Sequence, residues 1–236
     1  MAASQFSLKI NIKKTECMYQ PVKFICPPPE PIDITIDEVP LVKTTDFTYL
    51  GSTVSSSSKI DKELWTRTGK ASAAFGKLQQ RLWNNKHVSI RVKCKVYRAV
   101  VLSTLLHGAE TWTIYRAQVK KLHAVMMRQL RDIMGIKWYD KITNAEVLRR
   151  ANLPSMEDIL AEKNLRWLGD VHRMDHDRLP RQLLYSQPCS GKRNQGRPRL
   201  KFKDVAKRNM QVRKIPVNSW QTTASNRDTW RSAIKP

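Results

Sequence analysis

Neighbouring carboxylates can hold two divalent metals for phosphoryl transfer, and Cys/His sets can hold zinc. The chain has 20 Asp and Glu, yet no two aspartates are adjacent. Asp33 and Asp37 lie in Ile32-Asp-Ile-Thr-Ile-Asp37. The alternation predicts a strand with both carboxylates opposite Ile32, Ile34 and Ile36, and a solvated strand face accounts for them. His172 and His176 stand four apart, with Cys189 thirteen residues on. Two His at i and i+4 on a helix can share a metal. There is no Cys-x-x-Cys, and a helix end carrying two histidines is the plainer reading. Ser55 to Ser58 lack an activating motif, and no Gly-rich phosphate loop exists. No catalytic residue, metal or cofactor is therefore assigned.

The remaining chemistry is that of polyanion binding. Lys and Arg number 43, giving a formal charge of +23 and a pI near 10.2. Such a balance points to nucleic acid as partner class without naming a mechanism. Residues 1 to 50 carry five basic and six acidic groups, whereas Arg178 to Lys214 carry twelve basic groups and only Asp204 against them. That stretch repels itself unless a polyanion neutralises it. Within it, Lys192, Arg193, Arg197, Arg199, Lys201 and Lys203 are the candidate contacts; upstream, Arg67, Lys70, Lys77 and Arg81 decorate a helix and would meet phosphates without reading bases. For any one of these, a solvated helix face is the competing reading. Trp65, Trp83, Trp112, Trp138 and Trp167 could stack on bases, but core packing or lids over helix junctions is the expectation for most of them.

These residues must be positioned by a mainly helical chain. Asp46-Phe-Thr-Tyr-Leu-Gly-Ser-Thr-Val54 reads as two short β segments turned at Gly51. Cys26-Pro-Pro-Pro-Glu-Pro31 is a stiff connector between β segments. Apolar spacing predicts helices over about 59–83, from Ser89 to before Gly108, and 115–134 stopping at Gly135. The stripe expected in the second is Val92, Val96, Ala99, Val100, Ser103 and Leu106; in the third it is Val119, Leu122, Met126, Leu130 and Ile133. Arg91, Lys93, Lys95 and Arg98 cluster in the second. Thr143-Asn-Ala-Glu146 has capping-box spacing, and Ser155 starts a further helix. Beyond Arg178 a polar linker is expected, then a helix over about 200–212 and one short helix within 220–234.

The order of these segments closely resembles the reverse transcriptase of non-LTR (LINE-type) retrotransposons, past the end of its catalytic palm. Leu8 to Met18 looks like the palm segment before the primer grip, and Phe47, Tyr49, Leu50 and Gly51 like the grip itself. Leu102 to Trp112 looks like thumb and connection. Arg166-Trp-Leu-Gly-Asp-Val-His172 and Gly196-Arg-Pro-Arg199 look like the C-terminal elements. The resemblance implies RNA-directed DNA synthesis as the parent activity, and catalytic aspartates upstream of the segment where this chain starts. Gln195-Gly-Arg-Pro-Arg199 also resembles the centre of an AT-hook, with Gln195 where a full hook has Arg.

The expected architecture is α+β and mainly α: palm strands and primer grip over 1–54, a helical thumb over 55–177 and a basic extension over 178–236. The expected function is a catalytically incomplete fragment of such a polymerase, opened at Met1, with residual non-specific RNA or DNA binding. The alternatives are a protein-interaction module, docking an intact polymerase or host proteins through exposed palm-derived surface, and a decayed reading frame. No run of 18 apolar residues predicts a membrane span. Scattered cysteines suggest an intracellular protein, and a nuclear-import reading of Lys192-Arg193 with Arg197 to Lys203 favours the nucleus.

Overall fold

Helices dominate, with a few short strands before them, as the α+β, mainly α expectation requires. The computed structural model describes residues 10–20, 33–186, 196 and 199–235. The chain divides into two units, Met1–Thr66 and Arg67–Pro236. The proline-rich connector at 26–31 lies outside the described residues.

In the first unit, β1 (Glu16–Cys17) pairs in parallel with β4 (Val42–Lys43), and β2 (Thr35–Ile36) pairs antiparallel with β3 (Val39–Pro40). The third pair, β5 (Asp46–Tyr49) and β6 (Ser52–Ser55), is an antiparallel hairpin. The strand expected through Asp37 ends sooner. Asp37 and Glu38 both have positive φ, 49° and 64°, and form the β2–β3 turn. Asp tolerates that conformation better than a β-branched residue does. Asp33 pairs with Lys43 instead of facing Asp37 along a strand.

Helix α1 (Asp61–Lys77) has Asp61 and Glu63 in its first turn and Lys77 in its last, in line with the helix dipole. Its buried stripe includes Leu64, Ala71 and Phe75. A π turn at Gln79–Trp83 extends it. There Trp83 stacks on Phe75 at 5.2 Å and donates its indole N–H to the Phe75 carbonyl at 2.8 Å. Helix α2 (Ile90–Val96), capped by Ser89, runs into a second π turn at Tyr97–Leu102 and ends through Ser103–Leu105. The inward face differs from the expected stripe from the first turn on. Val92 and Val100 are exposed; Cys94, Tyr97, Val101, Leu102 and Leu105 are buried instead, and of the expected residues only Leu106 is fully inside. Tyr97 donates to the Gln129 side chain at 2.9 Å, which satisfies both groups in the core.

Helix α3 (Arg116–Met134) buries Val119, Leu122, Met126, Leu130 and Ile133 as its spacing predicts, and Gly135 closes it at φ 66°. Helix α4 (Asn144–Ala151) is capped by Thr143, whose hydroxyl accepts from the Glu146 N–H. Glu146 turns to Arg149 and Arg150, and their guanidinium groups hold its carboxyl down to about 2. Helix α5 (Met156–Arg173) starts at Ser155, which accepts from the Asp158 N–H at 3.1 Å.

Beyond Arg178, residues 179–185 are helical where a polar linker is expected, and the helix expected over about 200–212 is present at Phe202–Val212. Helix α6 (Leu179–Tyr185) has Pro180 in its first turn, where a missing N–H costs nothing. Helix α7 (Phe202–Val212) follows, then α8 (Trp220–Ser225) and α9 (Arg227–Ala233). Asn226 separates the last two, its side chain accepting from the N–H groups of Asp228 and Thr229. Leu165, Leu168 and Val171 of α5 share one core with Leu184, Met210, Trp220, Trp230 and Ile234. The C-terminal helices are thus part of the second unit's core.

Trp230 is 1% exposed and donates its indole N–H to the Leu165 carbonyl at 2.9 Å. A Cβ on Gly169 would fall inside the van der Waals envelope of Nε1 and Cδ1 of that ring. Gly-to-Ala in a helix interior ordinarily gains about 1 kcal/mol. Here Gly169→Ala is expected to destabilise by about 1–3 kcal/mol through overpacking, read by urea denaturation. A gain in stability would contradict the packing, and Gly169→Ala should cost less in a Trp230→Ala background.

Candidate nucleic-acid interface

The hairpin β5–β6 pairs Asp46 with Ser55, Phe47 with Val54, Thr48 with Thr53, and Tyr49 with Ser52. Only Leu50 and Gly51 remain for the turn, at φ 47° and 83°. Two positive φ values match the twist of a two-residue hairpin. Gly51 takes that conformation freely, whereas Leu50 pays about 1–2 kcal/mol for it. Phe47 and Tyr49 share one face, ring centroids 6.4 Å apart and 23° from parallel. Phe47 is half-buried; Tyr49 is 63% and Leu50 81% exposed. The tip therefore holds an aromatic ring and a leucine in water on a strained turn.

The first turn of α1 fixes this hairpin. Glu63, 4% exposed, accepts the Thr53 N–H at 2.7 Å. Lys62 pairs with Asp46 at 2.6 Å, and its ammonium holds the Asp46 carboxyl below the usual value. Glu63 carries no motif signal in the sequence; only its place one turn into the helix after a hairpin hints at this role.

The basic candidates fall into different settings. Lys70, Lys77 and Arg81 are exposed. Arg67, expected beside them, is 4% exposed, because it falls with Leu64 and Ala71 on the buried side of α1. It is not open to a phosphate as those three are. Arg199, Lys201 and Lys203 are exposed around the start of α7; Lys192, Arg193 and Arg197 lie outside the described residues. The AT-hook-like centre is described only at Gly196 and Arg199.

The histidines do not converge on a metal. Helix α5 ends at Arg173, so His176 is not on it. His172 sits between the Tyr185 hydroxyl at 2.6 Å and the Ser225 hydroxyl at 3.3 Å, and burial lowers its pKa. His176 meets the Arg181 guanidinium at 3.2 Å. Cys189 lies outside the described residues, among which no group of three His, Cys, Asp or Glu could hold a metal. Of the tryptophans, Trp83 and Trp112 are buried, Trp167 is half-buried, and Trp65 and Trp138 are 79% and 89% exposed. No described helix is long and apolar enough to cross a membrane.

Among curated proteins, the chain is 27% identical over 204 residues to the probable RNA-directed DNA polymerase from transposon BS of Drosophila melanogaster. The match covers 85% of this chain and 21% of that protein. The chain is therefore distantly related to a transposon reverse transcriptase and spans about a fifth of its length. No family model matches, and no solved structure matches.

The turn makes a direct expectation. Leu50→Asn places an Asn-Gly pair where both residues need positive φ, and should stabilise the hairpin by about 1 kcal/mol. Slower amide exchange across 46–55 is the expected readout. Faster exchange would mean that the leucine side chain holds the tip in place.

Proposed function

We propose that this chain is the nucleic-acid-holding part of a non-LTR-type reverse transcriptase: the end of the palm, the primer grip, the thumb and the C-terminal elements. It holds template and primer through phosphates and does not itself supply the metal site for synthesis. The observation that carries this reading is the hairpin tip. Tyr49 and Leu50 stand in water where the family resemblance expects a primer backbone, and the helix that follows turns Lys70 and Lys77 outward. An exposed ring and leucine on a strained turn are costly features for a merely structural hairpin.

Charge supports the same reading. With +23 on 236 residues, binding to a polyphosphate releases counterions and requires no base readout. The 236 residues hold no adjacent aspartates, so we assign them grip rather than chemistry. The nucleus is the corresponding place of action. Exposed Ile34, Val39 and Val42 in the first unit favour a second reading, in which the short strand pairs dock on a polymerase palm.

Two measurements check the proposal. The isolated chain should not extend a primer on an RNA template with magnesium or manganese; extension above a heat-denatured control would contradict it. If about six phosphates are met, log affinity against log salt should fall with a slope of about −4 on single strands and about −5 on duplex. Changing Arg197, Arg199, Lys201 and Lys203 together to Ala should flatten that slope on all sequences alike. Loss confined to A·T-rich duplex would favour minor-groove recognition, and a slope near zero would leave the palm-docking reading ahead.

A further inference from the structure

Two clefts on the second unit are basic and have no part in the sites above. One, of about 600 Å³, is lined by Arg91, Lys95 and Arg98 and by Arg150 of α4. The other, of about 940 Å³, lies beside the C-terminal end of α3 and carries Lys86, Arg128 and Lys137, with Asp132 the one carboxylate in its lining. Ile90 and Met134 line both, so the clefts are neighbours with these two side chains between them.

Arg91 and Lys95 stand at i and i+4 on α2, and Arg98 follows in the π turn, so the three form a stripe along one wall of the smaller cleft. All three are exposed, and among the described residues none has an ion-pair partner. Lys93 between them points the other way, buried, with its ammonium donating to the Trp83 carbonyl at 2.7 Å. An anion laid along this stripe would meet all three charges at once and release the counterions they hold.

The loop after α3 narrows the class of anion. Directly after cleft-lining Lys137 come Trp138 and Tyr139, 89% and 61% exposed, in an edge-to-face pair at 5.8 Å. The loop that carries them is tied down. The Lys137 N–H donates to Asp140 at 2.7 Å, and Arg131 donates to the Ile142 carbonyl at 2.7 Å and the Asn144 side chain at 2.9 Å. Two aromatic faces held in water beside a basic cleft suit bases that are free to stack. A duplex keeps its base faces covered, and an acidic peptide has none to offer.

We infer that these neighbouring clefts bind single-stranded nucleic acid, with phosphates along Arg91, Lys95 and Arg98 and an unpaired base on Trp138 and Tyr139. The inference rests on the nucleic-acid-holding reading and names the strand type and the residues. The test is fluorescence anisotropy of the full chain with a dye-labelled 12-nucleotide thymidine strand, a 12-nucleotide uridine strand and a blunt DNA hairpin. Trp138→Ala with Tyr139→Ala should weaken one or both single strands about tenfold, and the hairpin less than about twofold. Trp138→Phe with Tyr139→Phe should restore most of the affinity, since a stacking face remains. Arg91→Ala, Lys95→Ala and Arg98→Ala together should reduce the single-strand salt slope by about 2. Which single strand loses more identifies RNA or DNA as the occupant. If the unmodified chain binds but these variants bind equally well, or lose hairpin and single strands alike, the cleft assignment falls and the holding reading stands. If the unmodified chain binds none of the three probes, both fall.

Discussion

The missing side chain at Gly169 is the constraint on which the second unit depends. Only a glycine lets the indole of Trp230 lie against α5 closely enough to reach the Leu165 carbonyl. Trp230 in turn packs with Trp220, whose ring centroid is 6.0 Å away, and with the core around Leu168, Met210 and Ile234. Arg173 reinforces the join by donating to the Ala224 carbonyl at 2.6 Å. One helix thus organises the described helices C-terminal to it. Further along α5, Asn209 donates to Asn164 at 3.0 Å, and Asn164 donates to the Glu110 carbonyl, so α7 and the 109–111 turn are tied to the same helix. Buried amides without such partners would be costly.

That join changes how the positive charge is presented. Lys201 and Lys203 stand at the start of a helix whose other face is in the core, through Val205, Ala206 and Met210. Phosphate binding by these residues need not order a free chain first, which lowers the entropic cost of association. The same holds for the stripe on α2, whose opposite side carries Cys94, Tyr97 and Val101.

Local signals proved legible where a single residue decides the geometry. Ser155, Thr143 and Gly135 end or begin helices because a hydroxyl accepts an orphan N–H or a glycine takes φ 66°. The α3 stripe was readable because its helix is regular. The α2 stripe was not, because two faces have helical spacing: Cys94, Tyr97, Val101 and Leu105 step by three and four as regularly as Val92, Val96 and Val100 do. Pro180 reads as a breaker until its place in the first turn is known, and Asn226 reads as one polar residue among several until it caps α9. At the candidate interface, the hairpin with Gly51 was visible in the sequence. The burial of Arg67 was partly readable, since it lies three residues from Leu64 and four from Ala71. The exposure of Trp138 was not, because tryptophan by default belongs to a core and only the tied loop holds this one outside.

Grip without chemistry is the central claim: distant kinship to a transposon polymerase, exposed cations on folded supports, and aromatic rings held in water. The most direct test is photo-crosslinking of the full chain to a primer–template with an unpaired overhang, carrying a photoreactive pyrimidine at single defined positions, with the cross-linked peptides identified by mass spectrometry. Overhang positions are expected to cross-link to Trp138 or Tyr139, and positions at the primer end to Tyr49 or its neighbours in the hairpin. Cross-links scattered over the basic surface without regard to strand position, or absent from both segments, would contradict it.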